Sequence, residues 1–114
     1  MTIKSEVIDD ILIFSVEIKR ATVDTADLLK EKLIKLIKEG RTKVIIDMGQ
    51  IEFTDSSFLS SLLAGLKQAS LNDGDIKLAG LRPAVRYVFQ ITRLDKVFDI
   101  YENTAAAIKS FSKV

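Results

Sequence analysis

Two adjacent serines that follow an acidic residue are the side chains of this protein best placed to do chemistry. Ser56 and Ser57 come directly after Thr54 and Asp55. Either Thr54 or Asp55 is predicted to cap a helix that begins at Ser56, which places both serines in its first turn, near solvent. A phosphate on Ser56 would add about 1.5 to 2 negative charges beside the positive end of the helix dipole, where the fold can tolerate it.

The same residues are also an ordinary beginning of a helix. Ser, Thr and Asp are common at helix N-termini because their side-chain oxygens accept hydrogen bonds from free backbone N–H groups. From these residues alone, structural capping is favoured over phosphorylation. Ser60 and Ser61 lie one turn later, and we expect them on the less apolar face of the helix, as small packing residues or as minor alternative phosphorylation sites.

The composition excludes several kinds of catalytic and metal site. The 114 residues include no cysteine and no histidine, which removes disulfides, thiol catalysis, thiolate metal ligands and phosphohistidine. Ser56 does not lie in a Gly-x-Ser-x-Gly turn, and no Gly-x-x-x-x-Gly-Lys loop is present for nucleotide phosphates. Asp47, at the end of an apolar segment, is interpreted as a turn cap. A serine-lysine or carboxylate mechanism stays open, but no spacing of residues selects one. We predict no catalytic residue, no metal site, no cofactor and a protein that is not an enzyme.

The charge and hydropathy patterns argue against nucleic-acid and membrane binding. Lys and Arg number 17 against 16 Asp and Glu, and the formal net charge is +1, so there is no strong field to hold a polyanion. No segment approaches about 18 consecutive apolar residues, and the N-terminal residues lack a signal-like apolar run. We expect no direct nucleic-acid contact, no membrane insertion and a cytoplasmic location.

Strands and helices alternate along the chain after an initial hairpin. Apolar alternation predicts strands, and apolar residues at helical spacing predict helices. Asp24 or Thr25 is expected to cap the first helix, and Asn103 the last, which carries Ala107 and Phe111. The predicted strands cover residues 3–8, 11–18, 44–48, 76–80 and 97–101, and the predicted helices cover 25–39 and 56–69 and begin at Pro83 and after Asn103.

This order of elements predicts a single domain over residues 1–114. Alternating strands and helices require a partly parallel sheet joined by right-handed crossovers. The run Val44–Met48 is almost entirely apolar, as is typical of a central strand covered on both faces. The second helix is expected to bury four leucines, which are Leu59, Leu62, Leu63 and Leu66. The predicted fold class is therefore an α/β sandwich with a mixed four- to five-stranded sheet and about four helices.

Three segments of the chain resemble the anti-sigma factor antagonists, which are single-domain members of the STAS family. The motif Asp55-Ser56-Ser57 after a strand is similar to the phosphorylation motif of that family. The segment 81–98, with proline before a basic and apolar helix, and the segment 25–29, at the start of the first helix, are similar as well. The resemblance covers nearly the whole chain in the same order and implies a STAS-like sandwich.

The resemblance implies a protein regulated by partner switching. The serine that accepts phosphate in the family corresponds to Ser56. Unphosphorylated, such a protein binds an anti-sigma factor with serine kinase activity and so frees a sigma factor; phosphorylation releases it, and a serine phosphatase restores binding. The resemblance implies that this chain would be a substrate and ligand, and a monomer or weak dimer is expected.

Five residues near Ser56 are expected to form the surroundings of the phosphorylation site and the partner-binding surface. They are Asp55, Ser57, Phe58, Thr22 and Asp24. The family usually has glycine where this chain has Phe58, and that side chain either contacts the partner or packs inward, with packing favoured. An acidic residue that lies beside the phosphoserine in the family falls near Thr22 here, and Asp24 can substitute for it only if the loop shifts.

Two other functions remain open at this point. The chain could be a scaffold subunit of a signalling assembly built from similar domains. It could also be a ligand-binding or lipid-trafficking accessory domain without a phosphorylation switch.

Overall fold

A computed structural model describes residues 2–112 as two small layers of helices on a central sheet, with a second, two-stranded sheet at one end. The elements are β1 Thr2–Ile8, β2 Ile11–Glu17, β3 Arg20–Ala21, α1 Val23–Lys38, β4 Lys43–Asp47, β5 Phe53–Thr54, α2 Ser56–Leu71, β6 Asp75–Ala79, α3 Pro83–Ile91, a 3₁₀ turn Leu94–Lys96, β7 Ile100–Tyr101 and α4 Thr104–Phe111.

The main sheet has five strands in the order β1-β2-β4-β6-β7. β1 runs antiparallel to β2, and the other neighbouring pairs are parallel. β4 lies in the middle, and its residues Val44, Ile45 and Ile46 are completely buried. The predicted central strand and the predicted mixed α/β sandwich are both confirmed.

Helices cover both faces of the main sheet because β2 and β4 are apolar on both sides. The larger core lies between the sheet and α1, α2 and α3, and includes Phe14, Leu29, Leu33, Ile46, Phe58, Leu62 and Phe89. The smaller core lies under α4 and consists of Ile11, Ile13, Ile45, Ala79 and Ala107. Burial of apolar surface at about 25 cal/mol per Å² favours both layers.

Helices α1 and α2 pack side by side, and Gly65 of α2 lies against Leu33 of α1. A Cβ atom at that position would lie 2.9 Å from Leu33 Cδ1 and 3.1 Å from Ile76 Cδ1. A side chain there would force the two helices and the sheet apart, because buried atoms are already close-packed. Gly65 therefore sets the distance between the helices whose first turns form the candidate site.

Several predicted boundaries were wrong where tertiary contacts compete with local pattern. The last strand is only Ile100–Tyr101, because Phe98 turns into the core and meets Phe89 edge to face, with ring centroids 6.3 Å apart. Leu63, expected in the core, is exposed. α2 extends past Ala69 to Leu71.

The predicted cap of the last helix is confirmed. The Oδ1 atom of Asn103 accepts a hydrogen bond from the Ala106 N–H at 2.8 Å, so Asn103 caps α4.

The start of α1 also differs from the prediction. The helix begins at Val23, and Thr22 occupies the N-cap position. Asp24 and Thr25 lie inside the first turn, and Thr25 is buried, so neither is the cap. The physical reason is the short strand β3, which ends at Ala21 and leaves Thr22 as the residue between strand and helix. Two-residue strands such as β3 and β5 are too short for alternation to reveal.

Candidate functional site

The small two-stranded sheet brings the first turns of α1 and α2 together. β3 and β5 are parallel, with Arg20 opposite Phe53 and Ala21 opposite Thr54. The next residue in each chain segment is a helix N-cap, Thr22 for α1 and Asp55 for α2. Neighbouring strands lie about 4.8 Å apart, so this register places Thr22 beside Asp55. Two helix N-termini, far apart in sequence, therefore form one surface.

A well-ordered turn precedes β5 and holds it in place. The backbone N–H groups of Glu52 and Phe53 donate to the Lys19 carbonyl at 2.7 and 3.0 Å. Upstream, the Gly49 N–H donates to Asp47 Oδ1 at 3.0 Å, which confirms the interpretation of Asp47 as a turn cap. The Arg82 side chain donates from Nε to the Gly49 carbonyl at 2.9 Å. These bonds connect the segment before α2 to the loop between β2 and β3 and to the start of α3.

Asp55 is the residue that caps α2. Its Oδ1 accepts a hydrogen bond from the Phe58 N–H at 3.1 Å, the usual bond between an N-cap side chain and the third residue of the helix. Thr54 is nearly buried and its hydroxyl donates to the Asp55 carbonyl at 3.4 Å. Of the two caps that the sequence allowed, the structure selects Asp55.

The two serines differ in their surroundings. Ser56 is exposed, whereas Ser57 is half-buried. Ser57 lines a shallow depression of about 200 Å³ between the two helices, together with Val23, Ala26, Asp27, Lys30, Ser60 and Ser61. The prediction that both lie in the first turn is confirmed. Ser56 is the more accessible hydroxyl, and the Asp55 cap leaves that hydroxyl free of any role in closing the first turn.

Phe58 anchors the first turn of α2 from inside. Its side chain is 0% exposed and belongs to the larger core. Packing inward, the favoured interpretation of this residue, is therefore what the structure shows, and the side chain offers no surface to a partner. Ser61 was expected on a polar face but is buried, and its hydroxyl donates to the Phe58 carbonyl at 2.6 Å. Ser60 is exposed.

Thr22 and Asp24 occupy different places relative to Ser56. Thr22 lies in the loop beside Asp55, and no hydrogen bond from its side chain closes the first turn of α1. Asp24 is exposed and is the second residue of α1. The position where the resemblance expects an acidic side chain thus holds Thr22. The acidic side chain of Asp24 lies two residues later, at the second residue of α1.

Two exposed apolar side chains lie on the elements that lead into the two helix N-termini. Phe53 on β5 is 43% exposed, and Val23 at the start of α1 is 52% exposed. The Arg20 guanidinium lies over the Phe53 ring, 4.3 Å from its centroid, which is within the range of a cation–π contact. Inspection of the sequence did not single out Arg20, Val23 or Phe53 as site residues. No local pattern marked these residues, because their exposure depends on which elements pack together.

The side chains whose pKa values are shifted lie at the opposite end of the sheet. Burial raises the pKa of Asp75 at the start of β6. A hydrogen bond from Lys43 lowers the pKa of Asp10 in the β1–β2 turn.

Within residues 2–112, no group of three or more His, Cys, Asp or Glu side chains is arranged to hold a metal ion. No helix in the same range is long and apolar enough to cross a membrane.

Relatives of known family share both the sequence pattern and the fold. The sequence model of the STAS domain matches residues 2–107. BtrV of Bordetella bronchiseptica, a candidate anti-sigma factor antagonist, is 29% identical over 86 residues, which cover 75% of this chain and 74% of BtrV.

Solved structures of antagonists superpose over nearly the whole chain. An anti-sigma factor antagonist from Mycobacterium paratuberculosis has a TM-score of 0.85 and 25% identity, with 96% of this chain and 92% of that chain covered. A candidate antagonist from Thermotoga maritima shares the fold with a TM-score of 0.88 at 22% identity, covering 97% of this chain and 95% of that chain. With sequence match and fold in agreement, the protein belongs to the STAS domain family.

Proposed function

We propose that this protein is an anti-sigma factor antagonist that acts by partner switching. In the unphosphorylated state it binds an anti-sigma factor with serine kinase activity, and phosphorylation of Ser56 releases it. The observation that carries the proposal is the exposed Ser56 at the first residue of α2, with the exposed apolar side chains of Phe53 on the preceding strand and Val23 at the first residue of α1. The names of BtrV and of the mycobacterial relative support the antagonist role, and a cytoplasmic location follows from it.

The proposed partner-binding surface consists of Val23, Phe53 and Ser56. Val23 and Phe53 expose about half of their surface. Phe53 lies on the strand that leads into α2, and Val23 lines the same depression as Ser57. Apolar side chains surrounded by polar ones are typical of protein interfaces. Asp55 and Thr22 line the loop beneath, and Asp24 and Ser57 lie at its border.

The proposed modification is an ordinary phosphoryl transfer. The Ser56 hydroxyl oxygen forms a bond to the γ-phosphorus of ATP as the bond between that phosphorus and the bridging oxygen of ADP breaks. The hydroxyl proton passes to a base of the kinase, and ADP leaves. A serine phosphatase reverses the modification with water, releasing inorganic phosphate. In both steps this protein supplies the substrate hydroxyl, and the catalytic groups belong to its partners.

A phosphate on Ser56 would weaken association without unfolding the domain. Ser56 lies at the N-terminus of a sixteen-residue helix, where the helix dipole stabilises negative charge by about 0.3 to 1 kcal/mol. The same dianion would be buried unpaired against the partner, and burying an unpaired charge in an interface costs several kcal/mol. The local tolerance and the interface penalty together make a switch.

Phosphorylation of Ser56 is tested by incubating the protein with its cognate kinase and ATP and mapping phosphate by mass spectrometry. We expect incorporation at Ser56 in the wild type and none in Ser56→Ala. Ser57→Ala is the matched control, because Ser57 is the neighbouring hydroxyl, and it should accept phosphate at the wild-type site. Incorporation only at residues other than Ser56 would reject Ser56 as the switch.

The effect of charge on binding is tested by capturing partners from native extract on immobilised variants. Wild type and Ser56→Ala should retain an anti-sigma factor, whereas Ser56→Asp should bind it about tenfold more weakly or worse. Ser70→Asp, which adds the same charge to an exposed serine in the last turn of α2, should bind like wild type. Equal capture by Ser56→Asp and wild type, with equal melting temperatures, would contradict partner switching at this residue.

A further inference from the structure

Strand β1 leaves one long edge of the main sheet without a partner strand. It is seven residues long and pairs only with β2 among the strands of residues 2–112. Lys4 to Ile8 are all exposed, and two large apolar side chains lie there, Val7 at 44% and Ile8 at 38% exposure. The other edge strand, β7, has two residues. Long edges with free backbone groups readily pair with another strand.

The hairpin geometry decides which backbone groups face outward. The turn Asp9–Asp10 joins β1 to β2 with Ile8 opposite Ile11. The residues that flank a two-residue turn form a hydrogen-bonded pair, and such pairs alternate along an antiparallel ladder. Alternate residues of β1 therefore direct their N–H and C=O groups away from β2. These outward-directed residues are Ile3, Ser5 and Val7.

The sequence of this edge is complementary to itself. If two copies of β1 pair antiparallel about a twofold axis at Ser5, Ile3 of one copy lies opposite Val7 of the other. On the opposite face of the strand, Lys4 of one copy lies opposite Glu6 of the other. The axis also places Ser5 opposite Ser5. Ile3 and Val7 thus meet each other, and Lys4 meets the opposite charge of Glu6, twice in the symmetric pair.

We propose that a second copy of this chain binds at the edge of β1, so that the two five-stranded sheets become one continuous ten-stranded sheet. The outward-directed groups of Ile3, Ser5 and Val7 supply six backbone hydrogen bonds in the pair. The contact also covers Val7 and Ile8, which are exposed in the single chain. An interface limited to one strand is small, so the dimer is weak, with a dissociation constant between about 10 μM and 1 mM.

Charged residues on an edge strand often prevent association, but the pattern here favours this particular pairing. Protective edges place charges where a partner strand would meet like charge or buried charge. Lys4 and Glu6 instead alternate so that only the register centred on Ser5 makes two opposite-charge pairs. Lys4 also lies 3.2 Å from Glu17 on β2, and that contact holds the Lys4 side chain on the face where Glu6 of the second copy would lie.

Sedimentation equilibrium over a range of concentrations tests the dimer and its register. The wild type should change from monomer to dimer between about 10 μM and 1 mM. Glu6→Lys places like charges opposite each other at two positions and should raise the dissociation constant about tenfold. Adding Lys4→Glu to that variant restores opposite charges and should restore association. A wild type that stays monomeric at 1 mM, or a double variant no better than Glu6→Lys, would overturn the proposal.

Cross-linking locates the twofold axis directly, because the chain has no cysteine of its own. Opposed residues of a hydrogen-bonded antiparallel pair have Cα atoms about 5.5 Å apart, within the range of a disulfide. Ser5→Cys should therefore form a disulfide dimer rapidly under mild oxidation. Gln50→Cys, at an exposed residue away from β1, measures the rate of random collision. Equal rates for the two variants would overturn the proposed axis.

The dimer does not depend on the proposed phosphorylation switch. Ser56→Asp should associate with the wild-type constant, since Ser56 is not part of β1. Loss of the dimer in Glu6→Lys with intact phosphorylation of Ser56 would confirm that the two surfaces act separately.

Discussion

The first turns of α1 and α2 lie side by side, yet their chemistry differs. Both helices have sixteen residues and both follow a two-residue strand of the same small sheet. In each, the third residue is buried, Thr25 in α1 and Phe58 in α2. The cap and the first residue differ. Asp55 closes the turn of α2 and leaves Ser56 free, whereas Thr22 makes no capping bond and is followed by the exposed Val23.

This difference shows how one tertiary arrangement supports two roles. In α2 the buried Phe58 and the Asp55 cap hold the first turn in place. The hydroxyl of Ser56, the first residue, is therefore available for modification under the proposed function. In α1 the first residue is apolar and exposed, which suits contact with a partner. The depression between the two helices is lined by Val23 of α1 and by Ser57, the neighbour of Ser56. Under the proposed function, a charge added to one helix N-terminus acts on a contact made partly by the other.

The largest expected effect comes from removing the anchor of α2. Phe58→Ala should lower the free energy of unfolding by about 3 to 5 kcal/mol, since it leaves a cavity in a close-packed core. The matched change in α1, Thr25→Ala, removes little apolar volume and should cost about 1 kcal/mol. Urea denaturation followed by circular dichroism measures both. Similar losses in the two variants would show that the two turns are anchored equally.

The next effect comes from the caps. Asp55→Ala should lower the free energy of unfolding by about 1 kcal/mol, because the Phe58 N–H loses its side-chain acceptor. Thr22→Ala should change it by less than about 0.5 kcal/mol, the range of substitutions away from specific interactions. Thermal unfolding of the pair gives the comparison. A larger loss in Thr22→Ala than in Asp55→Ala would reverse the assignment of which helix depends on its cap.

The smallest expected change in stability comes from Asp75, which lies at the far end of the sheet from both helix N-termini. Burial raises the pKa of Asp75 above its usual 3.8, so ionised Asp75 destabilises the fold, and this penalty grows as pH rises from about 3.8 through the folded-state pKa. Asp75→Asn should therefore stabilise the protein at pH 7, by less than about 1 kcal/mol for a partly exposed group.

The pH dependence provides the control for that substitution. Below the usual pKa both aspartic acid and asparagine are neutral, so the stabilisation by Asp75→Asn should shrink toward zero near pH 3. The Asn side chain can keep the acceptor for the Ile76 N–H, which Asp75 Oδ1 holds at 2.9 Å. A stabilisation that is equal at pH 3 and pH 7 would show that ionisation of Asp75 is not its cause.

Most of the framework could be predicted because its signals are local. The apolar run at Val44–Met48 identified the central strand, the proline at the first residue identified the start of α3, and Asn103 identified the cap of α4. Each signal depends on hydrogen bonds or side-chain spacing within a few residues. The order of strands and helices then restricted the topology to a mixed sheet with right-handed crossovers.

The small sheet and the last strand could not be predicted because they depend on distant contacts. The backbone N–H groups of Glu52 and Phe53 bond to the carbonyl of Lys19, far away in the sequence, and β3 pairs with β5 beside that contact. The segment at Val97 and Phe98 has strand-forming residues, yet Phe98 gains more by packing against Phe89. Local propensity is weaker than burial in both cases.

The amino-acid sequence by itself determined the chemistry that is available. It excluded cysteine and histidine chemistry, and it placed a cap, Thr54 or Asp55, before two serines at the start of a helix, because capping requires only neighbouring residues. Only the tertiary structure decided that Ser56 is exposed, that Phe58 is buried, and that Thr22 and Val23 lie beside them. The reason is physical: exposure depends on which elements pack together, and the packed elements come from separate parts of the chain.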